Sequence, residues 1–162
     1  MRRFFNIKIQ LLMVSLFLLC ACSKDNDGID NTPSIEVGVH KIELSLDGDW
    51  KNFNCEFGFV GVRKGSTVAN VTCNDGGKAN GGVYNVTYKG NKVEAWTNDG
   101  CIDFTCSIII YNLNGKEGKV TVNATGYVDG KKAASGSTVI ELKKDNLTKS
   151  CVFNSVSGLT SI

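Results

Sequence analysis

The chain has 162 residues, 42% of them hydrophobic and 21% charged, a length that suits one folded domain. Its formal charge is +2, but Arg2, Arg3 and Lys8 lie in an N-terminal leader; without residues 1–21, 15 basic side chains face 16 acidic ones, about −1. A near-neutral body with mixed charges offers no electrostatic footprint for nucleic acid, and one histidine, His40, leaves no multi-histidine metal site and little room for histidine-based catalysis.

Residues 1–21 read as a secretory signal. Arg2, Arg3 and Lys8 form a positive start, and Leu11–Leu19 is an apolar run too short for the ~20 residues that a bilayer-spanning helix needs. The segment Leu19-Cys20-Ala21-Cys22 resembles a bacterial lipobox. That resemblance implies cleavage before Cys22 and a diacylglycerol thioether on its sulfur, with palmitate-type chains as the membrane anchor. Each buried methylene contributes about 0.8 kcal/mol, and two chains already give stable attachment. The next residues, Ser23-Lys24-Asp25-Asn26-Asp27-Gly28, resemble the short acidic signal that sends Bacteroidota lipoproteins to the outer face of the outer membrane. The expected location is therefore the outer membrane, facing the exterior, with the periplasmic face as the alternative. Asp25, Asp27, Gly28 and Asp30 alternate like a calcium loop, yet no closing glutamate or flanking helix frames them. Residues 22–34 are read as the acylated cysteine and a flexible tether, spanning about 20 Å.

Residues 35–162 carry a period-two pattern broken by Gly, Asn and Asp, without a helical stripe. Ile35, Val37 and Val39 share one parity while Ile42, Leu44 and Leu46 share the other, which predicts a bulge or sheet switch near Gly38–Lys41. Trp50, in the Asp47–Asn52 turn, is expected to plug one end of the core. Phe53, Cys55, Phe57 and Phe59 alternate with polar residues as a half-buried strand. Lys89-Gly90-Asn91-Lys92 predicts a two-residue hairpin pairing Tyr88 with Val93 and Val86 with Ala95. Asn98-Asp99-Gly100 and Asn114-Gly115 mark further reversals. Phe104, Cys106, Ile108 and Ile110 alternate, and Ser107–Tyr111 is apolar on both faces, as in a central strand. Val120, Val122 and Ala124 lead to Asp129-Gly130, a type I′ turn, and Ser135-Gly136 is placed as a second bulge. About nine strands at this spacing predict an all-β, two-sheet antiparallel sandwich of immunoglobulin-like type, with a lipocalin-like barrel as the alternative.

An exported body is read first for disulfides. With Cys22 acylated, Cys55, Cys73, Cys101, Cys106 and Cys151 remain as candidates, enough for two bridges and one free thiol. Cys73 and Cys101 each adjoin an Asn-Asp-Gly turn and are the first choice; Cys55 and Cys106 share the parity of core aromatics and are either an inter-sheet bridge or buried thiols. No cysteine spacing matches a zinc motif, so no metal is expected. His40 shares parity with Ile42 and Leu44, which makes it a structural histidine.

No phosphate loop, serine elbow or metalloprotease motif is present, and Asp47 and Asp49 flanking Gly48 read as turn residues rather than a glycosidase pair. No cofactor and no catalytic residue is expected. If Gly90-Asn91 closes a hairpin, Trp96, Asn85, Thr87 and Glu94 share one polar face, a candidate surface for a glycan or protein ligand. The stretch His40–Asp49 before an aromatic-rich strand, with the closing hairpin of Val120–Val128, Asp129-Gly130-Lys131 and Thr138–Leu142, resembles small uncharacterised Bacteroidota lipoproteins. The resemblance implies an outer-membrane lipoprotein with an immunoglobulin-like body and no assigned activity. The functional expectation is a non-enzymatic binding or adhesion module; a glycan-binding accessory lipoprotein and an envelope structural protein are the alternatives.

Overall fold

The computed structural model describes residues 37–161 apart from 66, 76, 77 and 81. The signal segment, Cys22, the tether with Asp25, Asp27, Gly28 and Asp30, and Ile35 lie outside the described residues. Eleven strands run among the described residues: β1 (His40–Gly48), β2 (Asn54–Val62), β3 (Val71–Cys73), β4 (Lys78–Asn80), β5 (Val83–Thr87), β6 (Val93–Thr97), β7 (Asp103–Tyr111), β8 (Gly118–Val128), β9 (Lys131–Leu142), β10 (Thr148–Asn154) and β11 (Gly158–Ser161). They form a five-stranded sheet ordered β3-β6-β1-β8-β9 and a six-stranded sheet ordered β11-β10-β7-β2-β5-β4. The pairs are antiparallel, and each sheet keeps two edges, so this is a sandwich and not a closed barrel.

The period-two pattern sorts side chains as the sequence implies. Ile42, Leu44, Leu46, Val93, Ala95, Val120 and Val122 from one sheet meet Phe57, Phe59, Phe104, Cys106, Ile108, Ile110 and Phe153 from the other, all buried. Phe59 stacks near Phe104, with ring centroids 6.0 Å apart. β7, apolar on both faces, sits between β2 and β10 inside its sheet. Asp129 (φ 48°) and Gly130 (φ 75°) make the type I′ hairpin between β8 and β9.

Three local expectations change. The predicted β5–β6 hairpin is a crossing between sheets: β5 pairs with β2 and β4, whereas β6 pairs with β1 and β3. Gly90 still takes a positive φ of 98°, but Trp50 seats against it and stacks edge-on to Tyr88 at 4.9 Å. The Tyr88 amide donates to the Cys55 carbonyl (2.9 Å), which keeps the chain on β2 up to the turn. Trp50 is thus the plug expected of it, in a single 3₁₀ turn at Asp49–Asn52.

The inward–outward phase does not slip at Gly38–Lys41, although the register on the β6 side shifts by two residues there, from Lys41↔Trp96 to Gly38↔Cys101. The β1–β8 register runs unbroken from His40↔Val128 to Gly48↔Val120. Val37 and Val39 face outward, and His40 takes the inner position because polar partners wait there. The bulge in β9 falls at Ala133 rather than Ser135-Gly136, since Gly126 opposes Ala134 while Tyr127 opposes Lys132. The tight turn closes the pair Val128↔Lys131, so the extra residue is absorbed directly beyond it.

Candidate functional site

The outer face of the five-stranded sheet is built by register. One row crosses Thr72, Trp96, Lys41, Tyr127 and Lys132; the next crosses Glu94, Glu43, Thr125 and Ser135; a third crosses Ser45, Asn123 and Ser137. This face carries a groove of about 440 Å³, lined by Glu43, Lys92, Ser45, Asn123, Thr125 and Ser135–Ser137 together with Leu44 and Ala124. Its polar lining follows from strands whose alternate residues are Ser, Thr and Asn.

Four charges cross-link the middle of the face. Lys41 reaches Glu43 (2.5 Å) and Glu94 (3.7 Å), while Lys92 reaches Glu94 (2.6 Å) and Glu43 (3.3 Å). Burial pushes the Glu43 carboxyl up, but the hydrogen bonds and charges of Lys41 and Lys92 outweigh it and hold the group below its ordinary value. Those contacts raise Lys41 above the usual lysine range. Lys41 also lies 4.8 Å over the Tyr127 ring, and the Tyr127 hydroxyl donates to Glu43 (3.3 Å). Asn123 donates to Asp47 (2.8 Å). Trp96 is half-buried on this face and is not among the side chains packed on the core.

The four residues expected to share one face are divided. Trp96 and Glu94 lie here, but Asn85 and Thr87 lie on β5, exposed on the outside of the other sheet. Their outward parity was legible; their common surface depended on a hairpin that does not form. Lys41 and Tyr127, beside Trp96, and the serines of β9 across the same face escaped the sequence reading because only strand pairing brings them onto one surface.

At the end of the sandwich where β1 begins, His40 is 1% exposed and its Nδ1 lies 2.7 Å from Ser155 Oγ. The His40 amide donates to Thr97 Oγ1 (3.1 Å), which also accepts from Cys101 Sγ (3.7 Å). Burial lowers the His40 pKa against the raising effects of the Cys101 backbone, Asp103 and Asp129. Ser155 is fully buried as well, so this pair has the composition of a nucleophile and base without access for a substrate. Ser155, in the β10–β11 turn, had no signal in the sequence.

The disulfide expectation is overturned. Cys55, Cys73, Cys101, Cys106 and Cys151 are all free thiols and all buried. Cys73 opposes Ala95, while Cys101 sits by Thr97, two residues or about 7 Å further along β6. Cys55 opposes Ile110 and Cys106 opposes Phe59, a four-residue offset within one sheet. Cys106 and Cys151 are diagonal across β7 and β10, about 7–8 Å apart, beyond bridging geometry. Burial pushes the Cys55, Cys73 and Cys151 thiols up to about 11, and Cys106 well above its ordinary value.

No family model matches the chain, and no curated protein matches it. Its fold is similar to that of a domain of unknown function, DUF4425, from Bacteroides vulgatus, with TM-score 0.62 and 19% identity over 75% of this chain and 97% of that one. A DUF4425 family protein from Bacteroides ovatus gives TM-score 0.62 at 21% identity over 75% and 98%. The calcium-bound form of a protein from Parabacteroides distasonis gives TM-score 0.51 at 19% identity over 75% and 98%. At these identities the likeness speaks for the fold alone.

Proposed function

We propose that this chain is a non-catalytic binding module, anchored to the outer membrane through an acylated Cys22 and facing the exterior, with the outer face of the five-stranded sheet as its contact surface. The observation that carries the reading is the polar groove on β1, β8 and β9, rimmed by Lys92, with Trp96 on the same face of the sheet one row beyond Glu43 and Glu94. The charged leader, short apolar run and lipobox-like Cys22 support the anchor. The two antiparallel sheets joined by repeated crossings support reading the body as immunoglobulin-like.

A catalytic carboxylate pair needs one acid held protonated near neutral pH. Glu43 and Glu94 face each other across β1 and β6, but both are tied to lysines, and Glu43 is held ionised. Among the described residues no three His, Cys, Asp or Glu side chains converge.

Two experiments test the reading. Metabolic labelling with an alkynyl fatty acid should tag the wild-type chain and not Cys22→Ala, and protease shaving of intact cells should remove the body. Retention of cells on mucin, plant polysaccharide and matrix protein should fall for Trp96→Ala and Ser137→Arg but not for Asn85→Arg on the opposite face. Equal behaviour of all three variants would refute the assigned surface.

A further inference from the structure

We infer that the ligand of this face is an uncharged carbohydrate chain, lying in the groove and extending past Glu43 and Glu94 to set one sugar ring against Trp96, which stands outside the groove lining; the inference rests on the binding surface proposed above. Charge carries the first part of the argument. Lys41, Lys92, Glu43 and Glu94 close on one another as two cations and two anions. These four central groups offer no unpaired charge to a polyanion or a polycation, while Lys132, exposed at the β9 end of the Trp96 row, lies outside the cluster.

Side-chain chemistry carries the second part. Ser45, Asn123, Thr125, Ser135 and Ser137 stand in two adjacent rows across β1, β8 and β9. Strand and residue spacings set such groups on a lattice of roughly 5 by 7 Å, each able to donate and to accept. A polyhydroxylated chain matches that pattern. An apolar peptide or lipid tail matches it poorly, because the apolar side chains that line the groove, Leu44 and Ala124, are themselves buried in the core.

Trp96 carries the third. It stands one row from Glu94 on the same face, half-buried and outside the core packing. A flat indole offers a stacking surface for the C–H face of a sugar at low entropic cost. The Tyr127 ring is already covered by Lys41, which leaves Trp96 as the aromatic platform of this face.

The test is titration of the full-length exported chain, in detergent, against neutral gluco-, xylo- and manno-oligosaccharides and an array of further neutral glycans. Heparin and polygalacturonate serve as anionic probes, and casein as a polypeptide probe. Neutral glycan binding is expected, with Trp96→Ala weakening it about tenfold, Ser137→Arg abolishing it, Asn85→Arg leaving it intact, and a rise in salt having no effect. Circular dichroism confirms that each variant is folded. Binding to the anionic polymers alone, no neutral glycan bound, or neutral binding that survives both groove variants would each overturn the inference. Retention on casein that Ser137→Arg removes would overturn the carbohydrate assignment while leaving the surface in place; no probe showing dependence on the face would overturn both.

Discussion

Replacing Gly126 with alanine places a methyl group where the β10–β11 turn already runs. The new Cβ would lie 2.2 Å from the Ser155 carbonyl oxygen, 2.6 Å from its Cα and 2.7 Å from its carbonyl carbon. All three are backbone atoms, so no rotamer change relieves the clash and the turn has to move by about 1 Å. That shift pulls Ser155 Oγ from His40 Nδ1, now 2.7 Å, and strains the Ser155 amide bond to the Phe104 carbonyl, now 2.9 Å. Overpacking costs about 1–3 kcal/mol, and a buried histidine left unsatisfied costs about 1–3 kcal/mol more. The expected loss is about 4 kcal/mol, a large part of the ~5–15 kcal/mol that holds a domain together. It corresponds to roughly 10–20 °C in Tm. Urea unfolding followed by tryptophan fluorescence gives the number. Gly130→Ala is the control: φ is 75° with nothing within 4 Å of the added Cβ, so only backbone strain of about 1 kcal/mol is expected. If Gly126→Ala proves as mild as Gly130→Ala, the close approach of β8 to the turn is not what the geometry says.

Three further outcomes follow from buried groups. His40 has a lowered pKa in the fold, so the unfolded chain binds the extra proton first. Stability is full above about pH 6.5 and declines as pH falls below it; His40→Gln should flatten that decline in urea titrations, and an unchanged slope would count against it. Cys55, Cys73 and Cys151, pushed up to about 11 by burial, should react with iodoacetamide at least about a hundred times more slowly than a free cysteine at pH 8, and Cys101 and Cys106, raised by the same burial, should be slowed as well. Mass spectrometry should find them alkylated only after unfolding; rapid native labelling of any one would contradict the burial. Tyr88→Phe removes the hydroxyl that accepts from the Leu46 amide (3.1 Å) and donates to its carbonyl (3.3 Å), at about 1–2 kcal/mol. A smaller effect in thermal melts would mean that water replaces the hydroxyl.

Orientation was already written in the order of residues. Side-chain direction in a strand alternates with every residue, so the inner places of Phe57, Ile108 and Val122, and the outer places of Trp96, Glu94, Asn85 and Thr87, could be read without knowing a single partner. The Asp129-Gly130 turn was equally legible, because positive φ at both residues is a local demand. Tertiary structure decided partnership. A glycine with positive φ at position 90 serves a hairpin or a crossing between sheets equally well, and only the docking of Trp50 and the bond from Tyr88 to Cys55 choose the crossing. That choice carried Trp96 away from Asn85 and Thr87 and set it beside Lys41 and Tyr127. The cysteines obey the same division: the inward parity of Cys55 and Cys106 was visible, but whether two sulfurs meet depends on register offsets between strands far apart in the chain. Local geometry is encoded residue by residue, whereas pairing is settled by the packing free energy of the whole sandwich, to which no single segment holds the key.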